Sequence, residues 1–123
     1  MKLATGVDLI EIERIEGIIE RHGEHFLNRV FTQRELVECA NQSASLAGRF
    51  AAKEATAKAL GTGIGQVGWL DIEVCSGPEN APQLCLSGAA LRRSTELHLS
   101  TWSVSISHTR IHAVALVVAC GED

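Results

Sequence analysis

The sequence has no surplus of positive charge, few prolines, no closely paired cysteines and no uninterrupted apolar run at either end. Each absence removes a class of function. Eleven Lys and Arg residues against fifteen Asp and Glu give a formal net charge of −4, which argues against nonspecific nucleic-acid binding, a process that needs a basic surface. Any acidic partner must then be met by a few positioned basic side chains. Two prolines in 123 residues, 46% hydrophobic content and no repeat or low-complexity tract predict one compact domain over residues 1–123 without a linker. The four cysteines, Cys39, Cys75, Cys85 and Cys120, form no Cys-x-x-Cys pair and stand beside apolar neighbours. That spacing favours no zinc site and suggests free thiols, hence a cytoplasmic protein. Asp8 and Glu11 interrupt the N-terminal region before an apolar leader can develop, and residues 107–112 break the apolar C-terminal region. Neither a targeting segment nor a membrane span is expected.

What is present is concentrated in Arg49-Phe50-Ala51-Ala52-Lys53-Glu54-Ala55-Thr56-Ala57-Lys58-Ala59-Leu60, followed by Gly61-Thr62-Gly63-Ile64-Gly65. Alanines and long straight side chains favour a helix, and three glycines in five residues end it. On that helix Leu46, Phe50, Ala57 and Leu60 form an apolar stripe. Glu54 and Lys58 lie four apart beside it, next to small Ala47 and Ala51, a flank that reads as room for a ligand. Glu followed four residues later by Lys is equally the commonest stabilising pair on a helix surface. The glycines are no dinucleotide fingerprint, because the helix precedes them, and no Gly-Lys-Ser/Thr closes a Walker loop. They leave a loop whose N–H groups are candidates to cradle an anion.

Two further segments bear on this helix. In Thr5-Gly6-Val7-Asp8-Leu9-Ile10-Glu11-Ile12 a carboxylate sits in an apolar run, where an unpaired charge is costly; Asp8 reads either as the N-cap of a following helix or as a metal ligand. Val104 to Thr109 alternates as a strand and delivers His108 at its end. The remaining pattern predicts a strand over residues 3–8 and a helix carrying Ile12, Ile15, Ile19, His22 and Phe26, ended or bent at Gly23. Next come a Thr32/Glu35 capping box opening a second helix, a loop over 41–45, and a strand carrying Leu70, Ile72 and Val74. A return strand over 83–86, a helix over 87–97 and two final strands follow, the first through Trp102, Val104 and Ile106, the second over 113–119. Together these predict an α+β fold with packed helices on a largely antiparallel sheet.

These segments resemble the holo-acyl-carrier-protein synthase family of 4'-phosphopantetheinyl transferases. The residues that carry the resemblance are Gly6-Val7-Asp8, the Phe50 to Ala55 run with Lys58, and Ser105-Ile106-Ser107-His108, in the family's order. Phe31-Thr32 with Glu35-Leu36, Leu46-Ala47-Gly48-Arg49 and Gly61 to Gly65 extend it over almost the whole chain. It departs at Asn80-Ala81-Pro82-Gln83, where the family commonly has Asn-Gly before a basic residue and a proline. The resemblance implies transfer of phosphopantetheine from coenzyme A to a serine of an apo acyl carrier protein, with release of adenosine 3',5'-bisphosphate, by a homotrimer with sites at subunit boundaries. It implies catalytic roles for Asp8, Glu54 and Lys58, with Asp8 and Glu54 as oxygen ligands suited to Mg²⁺. Coenzyme A contacts are expected from Lys58, Gly61, Thr62, Gly63, Gly65, Ser107, His108 and Thr109, with Arg49 a further contributor. His22, His25, His98 and His112 match no family position. Arg14 and Arg21, seven apart on the first helix, are candidates to meet an acidic carrier protein, on a helix expected to lie apart from the Glu54 helix. A module that binds coenzyme A without transfer is the rival reading. Intact Asp8, Glu54 and Lys58 speak against it.

Overall fold

A computed structural model describes all residues from Met1 to Asp123. The chain runs β1 (Lys2–Glu11), α1 (Ile12–His22), α2 (Glu24–Val30), α3 (Gln33–Cys39), α4 (Ser43–Ala59), β2 (Ile72–Ser76), β3 (Pro82–Leu86), α5 (Gly88–Glu96), β4 (Thr101–His108) and β5 (His112–Gly121). Two antiparallel sheets result, a three-stranded one in the order β1-β5-β4 and a β2-β3 hairpin. The fold is α+β, as the pattern predicts. No helix is long and apolar enough to cross a membrane.

The alternation along β1 and β5 decides where the core lies. Gly6 and Ile10 on β1 and Ala113, Ala115, Val117 and Ala119 on β5 turn inward and are buried, while Leu3, Val7, Leu9, Leu116 and Val118 turn outward and are exposed. Helix α4 covers the inward face. A Cβ at Gly6 would overlap the Ala55 carbonyl, and one at Gly48 would lie 2.7 Å from Ile106 Cγ2. Small residues therefore set how near the helix lies to the sheet. Ala47, Ala51, Ala52, Ala55 and Ala57 are all fully buried. The flank expected to hold a ligand is filled by the protein's own sheet, and α4 is a central helix buried on most sides, not an amphipathic one with a single stripe.

A buried ion pair ties the second layer to this helix. Lys53 Nζ lies 2.8 Å from Glu35 Oε1, both side chains fully buried, and donates to the carbonyls of Trp69 at 3.1 Å and Ile72 at 2.5 Å. Its three N–H donors thus meet three oxygens. Burial pulls the Lys53 pKa down and the Glu35 charge opposes that shift. Glu35 in turn accepts from Thr32 N at 2.8 Å and Val74 N at 2.8 Å. The capping box predicted at Thr32 is present, and its glutamate reaches beyond the helix end to join α3, α4 and β2.

Several boundaries differ from the sequence pattern. Helix α1 ends at Gly23, as expected, but Phe26 belongs to a separate helix α2. Helix α4 starts at Ser43, inside the expected loop. Trp69 to Asp71 form a 3-10 turn in which Leu70 is exposed, so the strand begins only at Ile72. At the departure from the family pattern, Glu79 and Asn80 carry the left-handed turn (φ 59° and 61°), whereas Ala81 is extended. A glycine is thus not required at Ala81.

Candidate active site

Asp8 lies in the middle of β1, paired with Ala115, on the strand face that α4 covers. It is not an N-cap: Glu11 occupies that position before α1. From α4, Lys58 Nζ reaches Asp8 Oδ1 at 3.1 Å and the Val7 carbonyl at 2.9 Å. The ordinary surface pair that the Glu54–Lys58 spacing also allows does not form; the lysine bridges helix to strand and stays half exposed. Glu54, one turn earlier, is part-buried and has no hydrogen-bond partner in the protein. Burial first, and the neighbouring Asp8 carboxylate second, raise its pKa; Lys58 and Arg14 oppose the shift. Two carboxylates crowd each other, one lacking a protein partner, and a divalent cation relieves such crowding. The donors present therefore fit Mg²⁺.

Arg14 belongs to this constellation. Helix α1 packs on α4, and the Arg14 charge acts on Glu54. The expectation that its helix lies apart from the Glu54 helix is overturned, because buried Ile12 and Ile15 draw α1 onto the core. Arg21 lies exposed two turns along the same helix.

The glycine loop behaves differently from an open anion cradle. Gly61 and Gly63 adopt φ of 73° and 74°, and the loop's N–H groups fold back. Gly61 N donates to Lys58 O at 3.0 Å, Thr62 N and Gly63 N to Ala57 O at 3.2 and 3.3 Å, and Gly65 N to Val67 O at 2.9 Å. The six-residue closure from Thr62 to Ala57 is that of a Schellman stop. The N–H donors of Gly61, Thr62 and Gly63 are consumed by the end of α4, and that of Gly65 by Val67. The Thr62 hydroxyl is left buried without a partner, and its residue borders a cleft of about 350 Å³ that Gly61, Arg92 and Arg93 also line. The sequence reading missed Arg92 and Arg93. Their only signal was two adjacent basic residues in a predicted helix.

The late segment divides between two faces. His108 follows Val104 and Ile106 on the α4 side and is exposed at the strand end. Its pairing through Ala113 to Ile10 places it at the same end of the sheet as Asp8, about 10 Å across by strand spacing. Ser107 points to the opposite face. Thr109 Oγ accepts from Ile111 N at 3.1 Å and His112 N at 3.0 Å, so its oxygen mainly holds the β4–β5 turn. Arg49 is a clear correction. It donates to Glu38 Oε1 at 2.8 Å, Val74 O at 2.6 Å and Ser76 Oγ at 3.3 Å. A helical offset of five residues turns it away from Glu54 and toward β2, where it serves as a structural clamp.

Comparison with known proteins agrees with this geometry. The family model of the 4'-phosphopantetheinyl transferase superfamily matches residues 4–117. The chain belongs to that superfamily. Among curated relatives, the holo-[acyl-carrier-protein] synthase of Herpetosiphon aurantiacus is 47% identical, covering 97% of this chain and 99% of the relative. That of Gloeobacter violaceus is also 47% identical, covering 94% and 91%. The crystal structure of the Helicobacter pylori holo-[acyl-carrier-protein] synthase in complex with coenzyme A superposes with a TM-score of 0.87 at 39% identity, covering 94% of this chain and 99% of that one. The Bacillus anthracis synthase in complex with coenzyme A (3',5'-ADP) gives 0.77 at 37% identity, with 94% of each chain covered. The transferase thus has its fold and its sequence in common with proteins solved with that nucleotide.

Proposed function

We propose that this transferase moves the 4'-phosphopantetheine group from coenzyme A to a serine hydroxyl of an apo acyl carrier protein, in the cytoplasm, releasing adenosine 3',5'-bisphosphate. The observation that carries the reading is the junction of β1 and α4. There Lys58 bridges to Asp8 while Glu54 waits unpaired beside them. The serine oxygen forms a bond to the β-phosphorus, the bond from that phosphorus to the bridging oxygen breaks, and the hydroxyl proton passes to Glu54. Glu54, raised in pKa by burial and by Asp8, suits a proton acceptor. Lys58, half exposed at the site's edge, offsets charge on the pyrophosphate. Asp8 and Glu54 would hold Mg²⁺, which supplies charge neutralisation at the phosphoryl oxygens. Thr62, with its unpaired hydroxyl, and His108 line the path of the nucleotide, and Gly61, Gly63 and Gly65 shape that path without donating to it. Arg14, on the exposed side of the site, orients an acidic carrier protein, and Arg21 extends that surface.

Assembly as a homotrimer completes the reading. The outward sheet face leaves Leu3, Val7, Leu9, Leu116 and Val118 exposed together, a patch that calls for a partner. Ser107 lies on that outward face, away from its own Asp8, and fits a contribution to a neighbour's cleft. Incubation of an apo acyl carrier protein with the transferase, coenzyme A and Mg²⁺ should add one phosphopantetheine mass, read by intact-protein mass spectrometry. A carrier left unmodified by well-folded protein would overturn the proposal.

A further inference from the structure

The transfer chemistry uses none of the cysteines, yet two of them meet. In the β2-β3 hairpin Glu73 pairs directly with Cys85 and Cys75 with Gln83. Glu73, Cys75 and Cys85 therefore share one face, and their ligand atoms all lie within 4.8 Å of one another. The geometry points to a second cation site here, specific for a thiophilic divalent ion of the zinc class and separate from the Asp8 and Glu54 carboxylates. A tetrahedral zinc ion places sulfur and oxygen ligands about 3.5–3.8 Å apart. Ligand atoms within 4.8 Å of one another are near that spacing, and three protein ligands leave a fourth tetrahedral position for water.

Four features of the surroundings suit an ion. Cys75 is only 2% exposed and forms the floor, whereas Cys85 is exposed and leaves a path from solvent. Thr32 donates its hydroxyl to Glu73 Oε2 at 2.7 Å, which orients the carboxylate and leaves its other oxygen free, as outer partners of metal ligands commonly do. Binding releases two thiol protons to solvent, so two thiolates and one carboxylate surround a divalent ion with one excess negative charge. The Arg34 guanidinium, whose charge acts on both Cys75 and Glu73, lies where it offsets that excess. Thiolates select against Mg²⁺ and two carboxylates favour it; the two sites sort ions by ligand softness. The site also has a structural task, since a two-stranded hairpin gains stability from a clip across its strands.

Cadmium is the probe, because cadmium thiolates have an ultraviolet charge-transfer band. The assembled protein, kept reduced with a phosphine in excess Mg²⁺, should take up about one Cd²⁺ per chain with that band. Zn²⁺ in equilibrium dialysis should give the same stoichiometry. Asp8→Asn should bind equally, which separates this site from the catalytic carboxylates and makes the outcome independent of the transfer reaction. Cys85→Ser, at an exposed position, should lose the band while circular dichroism stays unchanged. Glu73→Gln should weaken binding about tenfold or more. No uptake by the wild type, an undiminished band in Cys85→Ser, or loss of the band in Asp8→Asn would each overturn the inference.

Discussion

Three side chains separated by up to fifty positions form one electrostatic unit. Asp8 is legible in the sequence because a carboxylate inside an apolar strand demands a partner, but nothing local says that the partner is Lys58. Arg49 shows the reverse. Its place beside the Glu54 helix motif suggests an anion contact, whereas the fold turns it onto Glu38 and β2. Asp8→Asn and Glu54→Gln should each lower the initial rate of carrier modification by about 10²-fold or more, with melting temperatures near wild type, since each removes charge and leaves packing alone. Turnover within a few-fold of wild type at millimolar Mg²⁺ would contradict the two-carboxylate site. Arg14→Glu should raise the Michaelis constant for the carrier. Because the Arg14 charge also acts on Glu54, it should further alter the dependence of rate on Mg²⁺, which titration of the variant checks.

At the scale of elements, α4 is organised by its two lysines in opposite ways. Lys53 is sealed against Glu35 with both side chains fully buried; Lys58 is half exposed and joins helix to strand. Removing one partner of a buried pair leaves the other charge uncompensated, so Lys53→Ala should cost about 3–5 kcal/mol in denaturant unfolding. Lys58→Ala should leave stability nearly unchanged and reduce transfer. Equal stability losses would mean that the buried pair is not what joins the layers. Beside it, Glu38 accepts from Arg49, from Ser76 N and from Arg34. The Arg49 hydrogen bond first, with Ser76 N and Arg34 adding, holds its pKa down at about 2 against an ordinary 4.5. A depressed carboxylate stabilises the fold above its ordinary pKa and ceases to do so as pH falls through the folded value. The melting temperature of wild type should therefore exceed that of Glu38→Gln at neutral pH, and the gap should close between about pH 4.5 and 2. A gap that persists at the acid end would place the stabilisation elsewhere.

For the whole molecule, the exposed outer sheet face is the surface on which the proposed trimer rests. Its apolar positions lie on β1 and β5, and Thr101, Ser103, Ser105 and Ser107 of β4 continue it as a polar border. Leu116→Lys, at the centre of the face, should convert a trimer into monomers in sedimentation, with secondary structure retained and transfer lost. A variant that remains trimeric, or a monomer with full activity, would remove this face from the assembly and from the site.

Most elements follow from local pattern. Strand alternation, the Thr32 capping box and the alanine-rich helix stopped by glycine are short-range signals, set by side-chain period, end-group hydrogen bonding and backbone freedom. Asp8 stands out locally as a charge in an apolar run, whereas the spacing of Glu54 and Lys58 fits an ordinary surface pair as well, and the roles of all three come from the family resemblance. Tertiary structure alone decided which groups remain available. It turned the N–H groups of Gly61, Thr62 and Gly63 back onto Lys58 and Ala57, hid Ala47 and Ala51 under the sheet, assigned Arg49 to Glu38 and brought Arg14 toward Glu54. Those outcomes depend on distances between elements far apart in the chain, which local propensity and spacing do not encode.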